Sequence, residues 1–169
     1  GCGVTVKEYG HALKDEPASA EKARRIAALT VDLSELLPDL VPLLRGKLAL
    51  PRPAGERGGG ASVRPDGWMK RLAFHPPCTL QHGQQLHGVV ETQLTALGFE
   101  VQVARIESHM CCGSAGTYSV LQPELAHALR DRKLANLGEL DPQVIVSATI
   151  ASIHPLRPRT ATPARHGAE

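Results

Sequence analysis

A long segment rich in proline and glycine divides this chain of 169 residues. It runs from Pro51 to Gly67 and reads PRPAGERGGGASVRPDG. Such a segment has too few apolar side chains to offset the conformational entropy that folding would remove. We therefore predict a linker over residues 51–70, with a helical part over residues 1–50 and a compact domain over residues 71–169.

The part before the linker carries the pattern of an amphipathic helix. Apolar side chains recur at steps of three and four residues between positions 19 and 37. Ser19 is suited to cap the start of this helix, and Pro38 is expected to end it.

The part after the linker alternates between strand and helix patterns. The predicted order is a strand at 72–74, a helix at 83–97, a strand at 99–106, a helix at 123–138 and a strand at 144–146. Gly98 suits the left-handed end of the first helix, and Pro123 suits the first turn of the second. A β-α-β-α-β order predicts an α/β domain with a small parallel sheet and functional loops at the carboxyl ends of its strands.

The second predicted helix has an apolar face formed by Leu125, Ala128 and Leu129. Basic residues follow in its later turns, where they complement the helix dipole. They are Arg130, Arg132 and Lys133.

Composition disfavours several classes of function. The 19 Lys and Arg are balanced by 17 Asp and Glu, so no basic field points to nucleic acid. No apolar run approaches the roughly 20 residues of a membrane span, and no signal-peptide pattern is present, which predicts a cytoplasmic protein. Four cysteines are too few for a disulfide scaffold of this length. They favour thiolate chemistry or metal ligation instead.

Three of the cysteines directly follow predicted strands. Cys78 comes after the first strand, and the adjacent Cys111 and Cys112 come after the second. Loops at the carboxyl ends of parallel strands meet at one edge of a sheet, where several thiolates could bind a soft metal or an iron–sulfur cluster. The alternative is that these are ordinary buried cysteines, a common fate of free thiols.

Other sites are less well supported by the sequence. The serine of Gly113-Ser114-Ala115-Gly116 lacks the Gly-x-Ser-x-Gly frame of a hydrolase, and neither a phosphate-binding loop nor a dinucleotide fingerprint is present. His75, His82, His109 and Cys112 offer zinc ligands, but their spacing matches no compact zinc motif. The backbone N–H groups of Gly113, Ser114 and Gly116 are candidates to stabilise the negative charge of a cluster or an anion.

Three stretches carry a resemblance to one known family. They are HPPCTLQHGQQL, RIESHMCCGSAGTYSVLQPELAHALRDRKLANL and PQVIVSATI. These stretches are similar to the last cysteine-rich repeat of glycolate oxidase (glycolate dehydrogenase) iron–sulfur subunits, which are related to the cysteine-rich subunit of heterodisulfide reductase. The opening GCGVTVKEYGHALKDEP resembles the end of the preceding repeat, which makes residues 1–50 its helical tail.

The resemblance implies that Cys78, Cys111 and Cys112 are ligands of an iron–sulfur cluster, of the [4Fe–4S] type in the full-length subunit. Cys2 matches the last cysteine of the previous repeat and is expected to lie elsewhere. The closing cysteine of the family's repeat should fall near positions 148–151, where this chain has none. The family's N-terminal ferredoxin-like region has no counterpart here, so the chain resembles a C-terminal piece.

By the same resemblance, the whole subunit carries electrons from a flavin-bearing, FAD-containing partner that oxidises glycolate to glyoxylate, at the periphery of the inner membrane. The isolated chain is not expected to be catalytic. The competing hypothesis is a degenerate module that binds no metal and serves structure or subunit docking.

Overall fold

The fold is built on a sheet of four parallel strands in the order β2-β1-β3-β4. A computed structural model describes residues 2–48, 71–114 and 116–169. The predicted linker at 51–70 lies outside the described residues. The strands are β1 Arg71–His75, β2 Glu100–Val103, β3 Val144–Ser147 and β4 Ala164–His166.

Eight α-helices flank the sheet or precede it within the described residues. Four come before β1, namely α1 Cys2–Lys7, α2 Tyr9–Ala12, α3 Ala20–Leu29 and α4 Leu33–Leu48. The other four are α5 Val89–Ala96, α6 Tyr118–Leu121, α7 Pro123–Gly138 and α8 Ile150–Leu156. No helix in these ranges is long and apolar enough to cross a bilayer.

The structure confirms the predicted parallel α/β fold and adds one strand. β4 pairs with β3 through three residues only, with Ala164 opposite Ile145. The sequence analysis missed β4 because a single apolar residue followed by Arg165 and His166 gives no strand pattern. Burial of Ala164 against the sheet, at 4% exposure, stabilises this short edge strand.

The two faces of the sheet bury different clusters. Along β1, Leu72 and Phe74 pack with Val90 and Leu94 of α5 on one face. Ala73 packs on the other face in a cluster that also contains Cys112, from the loop after β2. Alternation along a strand therefore puts His75 on the same face as Ala73.

The N-terminal helix differs from the prediction for 19–37. It is split into α3 and α4, and Pro38 lies inside α4 rather than at its end. The break has a clear cause, since the backbone N–H of Ser34 donates to the Asp32 carboxylate at 3.0 Å and the N–H of Asp32 donates to Glu35 at 2.7 Å. This reciprocal capping box starts a new helix. Ser19 occupies the cap position of α3 without a side-chain capping bond.

The helix predicted at 83–97 is shorter than expected. A π-helical turn at Thr79–Gly83 comes first, and α5 begins only at Val89, after the left-handed Gly88. Its predicted end is confirmed, because Gly98 has a φ of 97° and its N–H donates to the Thr95 carbonyl at 2.9 Å. Phe99 donates to Leu94 at 3.2 Å, which completes a Schellman motif.

Helix α7 begins at Pro123 as predicted, but the predicted apolar face is wrong. Leu125 is 56% exposed. The buried side chains recur instead at steps of four, three and four residues, a helical face that includes two basic residues. They are Ala126, Arg130, Lys133 and Leu137.

The N-terminal helices pack directly on the segment that follows Cys78. A Cβ atom added to Gly83 would lie 2.8 Å from Cγ2 of Val4 in α1. The Gln84 side chain donates to the Asp32 carboxylate at 2.6 Å. The first part of the chain is thereby joined to the turn on which Cys78 sits.

Candidate functional site

Cys78 is placed by the end of strand β1. His75 is the last residue of the strand, and Pro76 and Pro77 lead the chain out of it, because a proline ring cannot donate to a strand ladder. Cys78 then starts the π-helical turn, with its side chain exposed. The Gln81 amide holds this turn against the strand end through a 2.9 Å hydrogen bond to the Pro76 carbonyl.

Cys111 and Cys112 lie in the loop between β2 and α6, with Cys111 half-buried and Cys112 buried. The backbone N–H of Gly113 donates to the Cys111 sulfur at 3.4 Å. The backbone N–H of Ser114 donates to Cys112. Two of the three backbone groups predicted to face an anion are thus turned toward the thiols.

Gly113 also fixes how closely this loop approaches α7. Its φ is 82°, a left-handed conformation, and a Cβ atom built there would lie 2.1 Å from the Ala126 carbonyl oxygen. Only glycine fits this position without moving the helix. Gly116, by contrast, is exposed with open space around it, and its neighbour Ala115 lies outside the described residues.

The Cys112 sulfur has a hydroxyl partner on helix α8. The Sγ atom of Cys112 lies 3.4 Å from Oγ of Ser152, which is 3% exposed. Ala151, at the end of the range where the family's closing cysteine was expected, is exposed. The residue that occupies the place beside Cys112 is therefore Ser152.

The three cysteines act on one another electrostatically. Burial raises the pKa of the Cys112 thiol, and the charges of Cys111 and Cys78 raise it further. Hydrogen bonds from Ser152 and the Ser114 N–H oppose this effect. Without metal, Cys112 is therefore held as a neutral thiol, and a bound metal would have to displace its proton.

A buried lysine lies behind the two adjacent cysteines. Lys133 of α7 is fully buried, and its Nζ donates to the carbonyls of Glu107 at 2.7 Å and Ser108 at 3.2 Å. Burial lowers its pKa, while the charges of Cys112, Glu107 and Cys111 raise it. A positive charge thus faces the loop that carries the thiols.

His75 completes the buried polar groups at this edge of the sheet. It is 2% exposed, and its Nδ1 atom has no hydrogen-bond partner in the part of the chain that the structure describes. Burial first, and then the charge of Lys133, lower its pKa to about 3. Its strand partner Ser147 is also buried and donates from Oγ to the His75 carbonyl at 2.8 Å.

The remaining predicted residues lie at the surface. The side chains of His82 and His109 are exposed, as is Cys2 on α1. Among the residues that the structure describes, no three His, Cys, Asp or Glu side chains are arranged to hold a metal ion. This holds for the predicted zinc ligands and equally for the set Cys78, Cys111 and Cys112.

An iron–sulfur cluster fits these residues in its chemistry. Thiols on neighbouring strand-end loops, backbone N–H groups donating to sulfur and a nearby buried cation all favour a sulfur-ligated, anionic group. At the position beside Cys112, Ser152 places a hydroxyl and not a fourth thiol.

The sequence does not predict Lys133 as part of this site. Its pattern predicts a basic residue in the later turns of a helix, where most lysines are solvated. The signal for burial is its spacing, seven residues after Ala126 and four before Leu137. Ser152 lies in the segment 147–152 that follows the third predicted strand and is expected at the same edge of the sheet, but its contact with Cys112 is not predicted.

Comparison with known proteins shows what this chain is similar to. Residues 72–151 match the family model described as "Cysteine-rich domain", with the short name CCG. The whole chain is 45% identical to the glycolate oxidase iron–sulfur subunit of Escherichia coli (strain K12) and spans 37% of that protein.

Two more distant relatives cover less of this chain. One is the lactate utilization protein A of Bacillus licheniformis, 28% identical over 87% of this chain and 54% of its own length. The other is the probable glycolate oxidase iron–sulfur subunit of Bacillus subtilis (strain 168), 26% identical over 88% of this chain and 30% of its own length. Residues 72–151 match the cysteine-rich domain model, and the chain as a whole is similar to the C-terminal portion of a glycolate oxidase iron–sulfur subunit.

Proposed function

We propose that this chain is the C-terminal, cysteine-rich part of an electron-transferring iron–sulfur subunit of a glycolate oxidase complex. The similarity over the full chain to a protein of that name supports this proposal. In this proposal residues 1–50 end a preceding repeat, residues 51–70 link the two parts and residues 71–169 form the last cysteine-rich domain.

The proposed ligands are Cys78, Cys111 and Cys112. The observation that carries the proposal is the pair of backbone N–H groups that donate to the adjacent cysteines, beside a buried lysine. Gly113 and Ser114 would stabilise negative charge on sulfur in this way. Gly116 is the third residue proposed to face the cluster, and it differs from the other two in being exposed.

When bound, a [4Fe–4S] cluster would accept and pass on one electron at a time. Oxidation of glycolate to glyoxylate releases two electrons and two protons, which we assign to FAD on a partner subunit. The chain's own residues bind the cluster and dock the subunits, in the cytoplasm at the periphery of the inner membrane. Relatives named for glycolate and for lactate suggest small 2-hydroxy acids as the substrate class of such complexes.

Anaerobic reconstitution of the chain with iron and sulfide tests this function. We expect bound iron and acid-labile sulfide, with optical and electron paramagnetic resonance (EPR) signals of a cluster. Cys111→Ser should abolish most of the iron, whereas Cys2→Ser on exposed α1 is the matched control and should retain it. A well-folded wild-type chain that binds neither iron nor sulfide would contradict the proposal.

The second candidate is a metal-free docking module. The hydroxyl of Ser152 beside Cys112 favours it, since a fourth thiolate is missing. So does a stripe of exposed leucines on α4, namely Leu33, Leu36, Leu40, Leu43 and Leu44. If reconstitution fails, binding of the chain to purified flavin-bearing subunits would support this candidate, and its absence would contradict it.

A further inference from the structure

His75 is a buried polar residue with one unpaired ring nitrogen. Its Nδ1 atom makes no hydrogen bond within the described residues, and the residue is 2% exposed. Buried polar atoms in native proteins nearly always have a partner, so this nitrogen indicates a partner such as water or a bound group. The same side chain sits at the carboxyl end of β1, three residues before Cys78.

Three observations place this ring beside the cysteine site. Alternation along β1 puts His75 on the face of Ala73, the face that buries Cys112. The charge of Lys133 acts on His75, and the charge of Cys112 acts on Lys133. His75, Lys133 and Cys112 therefore share one face and one edge of the sheet.

Lys133 has a donor left for a ligand as well. An ammonium group has three N–H donors, and within the described residues two of them go to the carbonyls of Glu107 and Ser108. Next to this fixed positive charge, imidazole stays neutral, and its single N–H can be carried by Nδ1.

We infer that His75 donates a hydrogen bond from Nδ1 to a sulfur atom of the cluster held by Cys111 and Cys112, and that Lys133 supplies the neighbouring positive charge. This inference rests on the proposed function. His75 is here a cofactor-contacting residue and not a metal ligand. Hydrogen bonds and positive charge at sulfur favour the reduced, more negative cluster and so raise its reduction potential.

Redox titration of the reconstituted full chain, followed by EPR, tests the inference. His75→Leu should make the reduction potential more negative, by about tenfold in the reduced-to-oxidised ratio, or about 59 mV for one electron. His75→Gln keeps an N–H donor and should recover part of the shift. His82→Leu, at an exposed histidine four residues after Cys78, is the control and should match the wild type.

Substitutions on α7 give a second, independent measurement. Lys133→Met should also lower the potential. Arg132→Met changes the adjacent residue, whose side chain is 63% exposed, and should leave the potential unchanged. Potentials of His75→Leu and Lys133→Met equal to the wild type would overturn the inference.

Pulsed EPR of the wild-type protein avoids any folding defect of the variants. With ¹⁵N-labelled histidine, we expect a weak coupling between the cluster spin and an imidazole nitrogen, lost in His75→Gln. Absence of the coupling would overturn the inference, and a coupling strong enough for a direct iron–nitrogen bond would also overturn it. A wild-type chain that binds no cluster would contradict the proposed function itself, whereas a bound cluster without these effects would contradict the inference alone.

Discussion

The Sγ atom of Cys112 and the Oγ atom of Ser152 lie 3.4 Å apart in the interior of the domain. Ser152 belongs to helix α8, which follows β3, and Cys112 belongs to the loop after β2. A residue of the third strand-end segment therefore reaches the same place as the adjacent cysteines. A thiol at position 152 would lie beside Cys112, as a fourth sulfur for the proposed cluster.

Ser152→Cys should raise the iron and sulfide retained after anaerobic reconstitution, because it adds a fourth thiolate at a buried position. The matched control is Ala151→Cys, whose thiol would be exposed. Iron and sulfide analysis of the two variants after gel filtration measures the effect. An increase in Ala151→Cys alone would show that the closing ligand belongs at position 151.

The stability of the metal-free chain should fall between pH 7.5 and pH 5.5. Folding lowers the pKa of His75 from 6.5 to about 3, so the unfolded chain binds a proton that the folded chain does not. The stability from this residue is present above pH 6.5 and is lost as the pH falls from there toward 3. The loss over the measured interval should be about 1 kcal/mol.

Urea unfolding at the two pH values measures this loss. His75→Gln should remove most of the pH dependence within this interval, and His82→Gln should leave it in place. Three carboxyl groups have lowered pKa values and therefore also contribute to the free energy of unfolding, namely those of Asp32, Glu35 and Asp131. They lose these contributions at pH values below the measured interval. An equal pH dependence in His75→Gln would contradict the prediction.

Gly113→Ala should destabilise the domain by about 3 kcal/mol. About 1 kcal/mol comes from the left-handed backbone and the rest from overlap with the Ala126 carbonyl. Gly116→Ala has a similar positive φ of 60° but open space, so it should cost only about 1 kcal/mol. Urea unfolding of both variants separates overlap from backbone strain, and equal losses would show that overlap contributes nothing.

Asp32→Ala should destabilise the chain by about 2 kcal/mol. It removes the cap of α4, worth about 1 kcal/mol, and leaves the Gln84 amide without its partner, which costs a similar amount. Asp39→Ala on the exposed face of α4 is the control and should have little effect. Amide hydrogen exchange should also become faster in the turn at Thr79–Gly83. Unchanged exchange there would show that the hydrogen bond between Asp32 and Gln84 does not stabilise this turn.

The sheet was predictable because its strands carry strong local patterns. Val144-Ile145-Val146 is apolar throughout and lies in a strand buried on both faces, as expected for the interior of a parallel sheet. Gly98 and Pro123 marked helix boundaries for equally local reasons, namely positive φ and a missing N–H. Each of these features is set by residues that are adjacent in the sequence, so one sequence is enough to predict it.

The rest depended on contacts between distant residues. Lys133 is buried because carbonyls of residues 107 and 108 accept its N–H groups, and nothing near position 133 shows this. Pro38 lies inside α4, and the start of this helix is set by the Asp32 capping box. The residues of the capping box are visible in the sequence, but the proline favours the prediction of a helix end at position 38. Ser152 lies beside Cys112 because α8 packs against the loop that carries Cys112, and the residues near position 152 do not show this packing.

The contact between Val4 and Gly83 makes two distant positions share one volume. Because a Cβ at position 83 would overlap the valine side chain, a larger residue there requires a smaller one at position 4. Among homologous sequences, we therefore expect the sizes of these two residues to vary inversely. A chain without α1 would also lack Val4, so position 83 would then accept a larger residue.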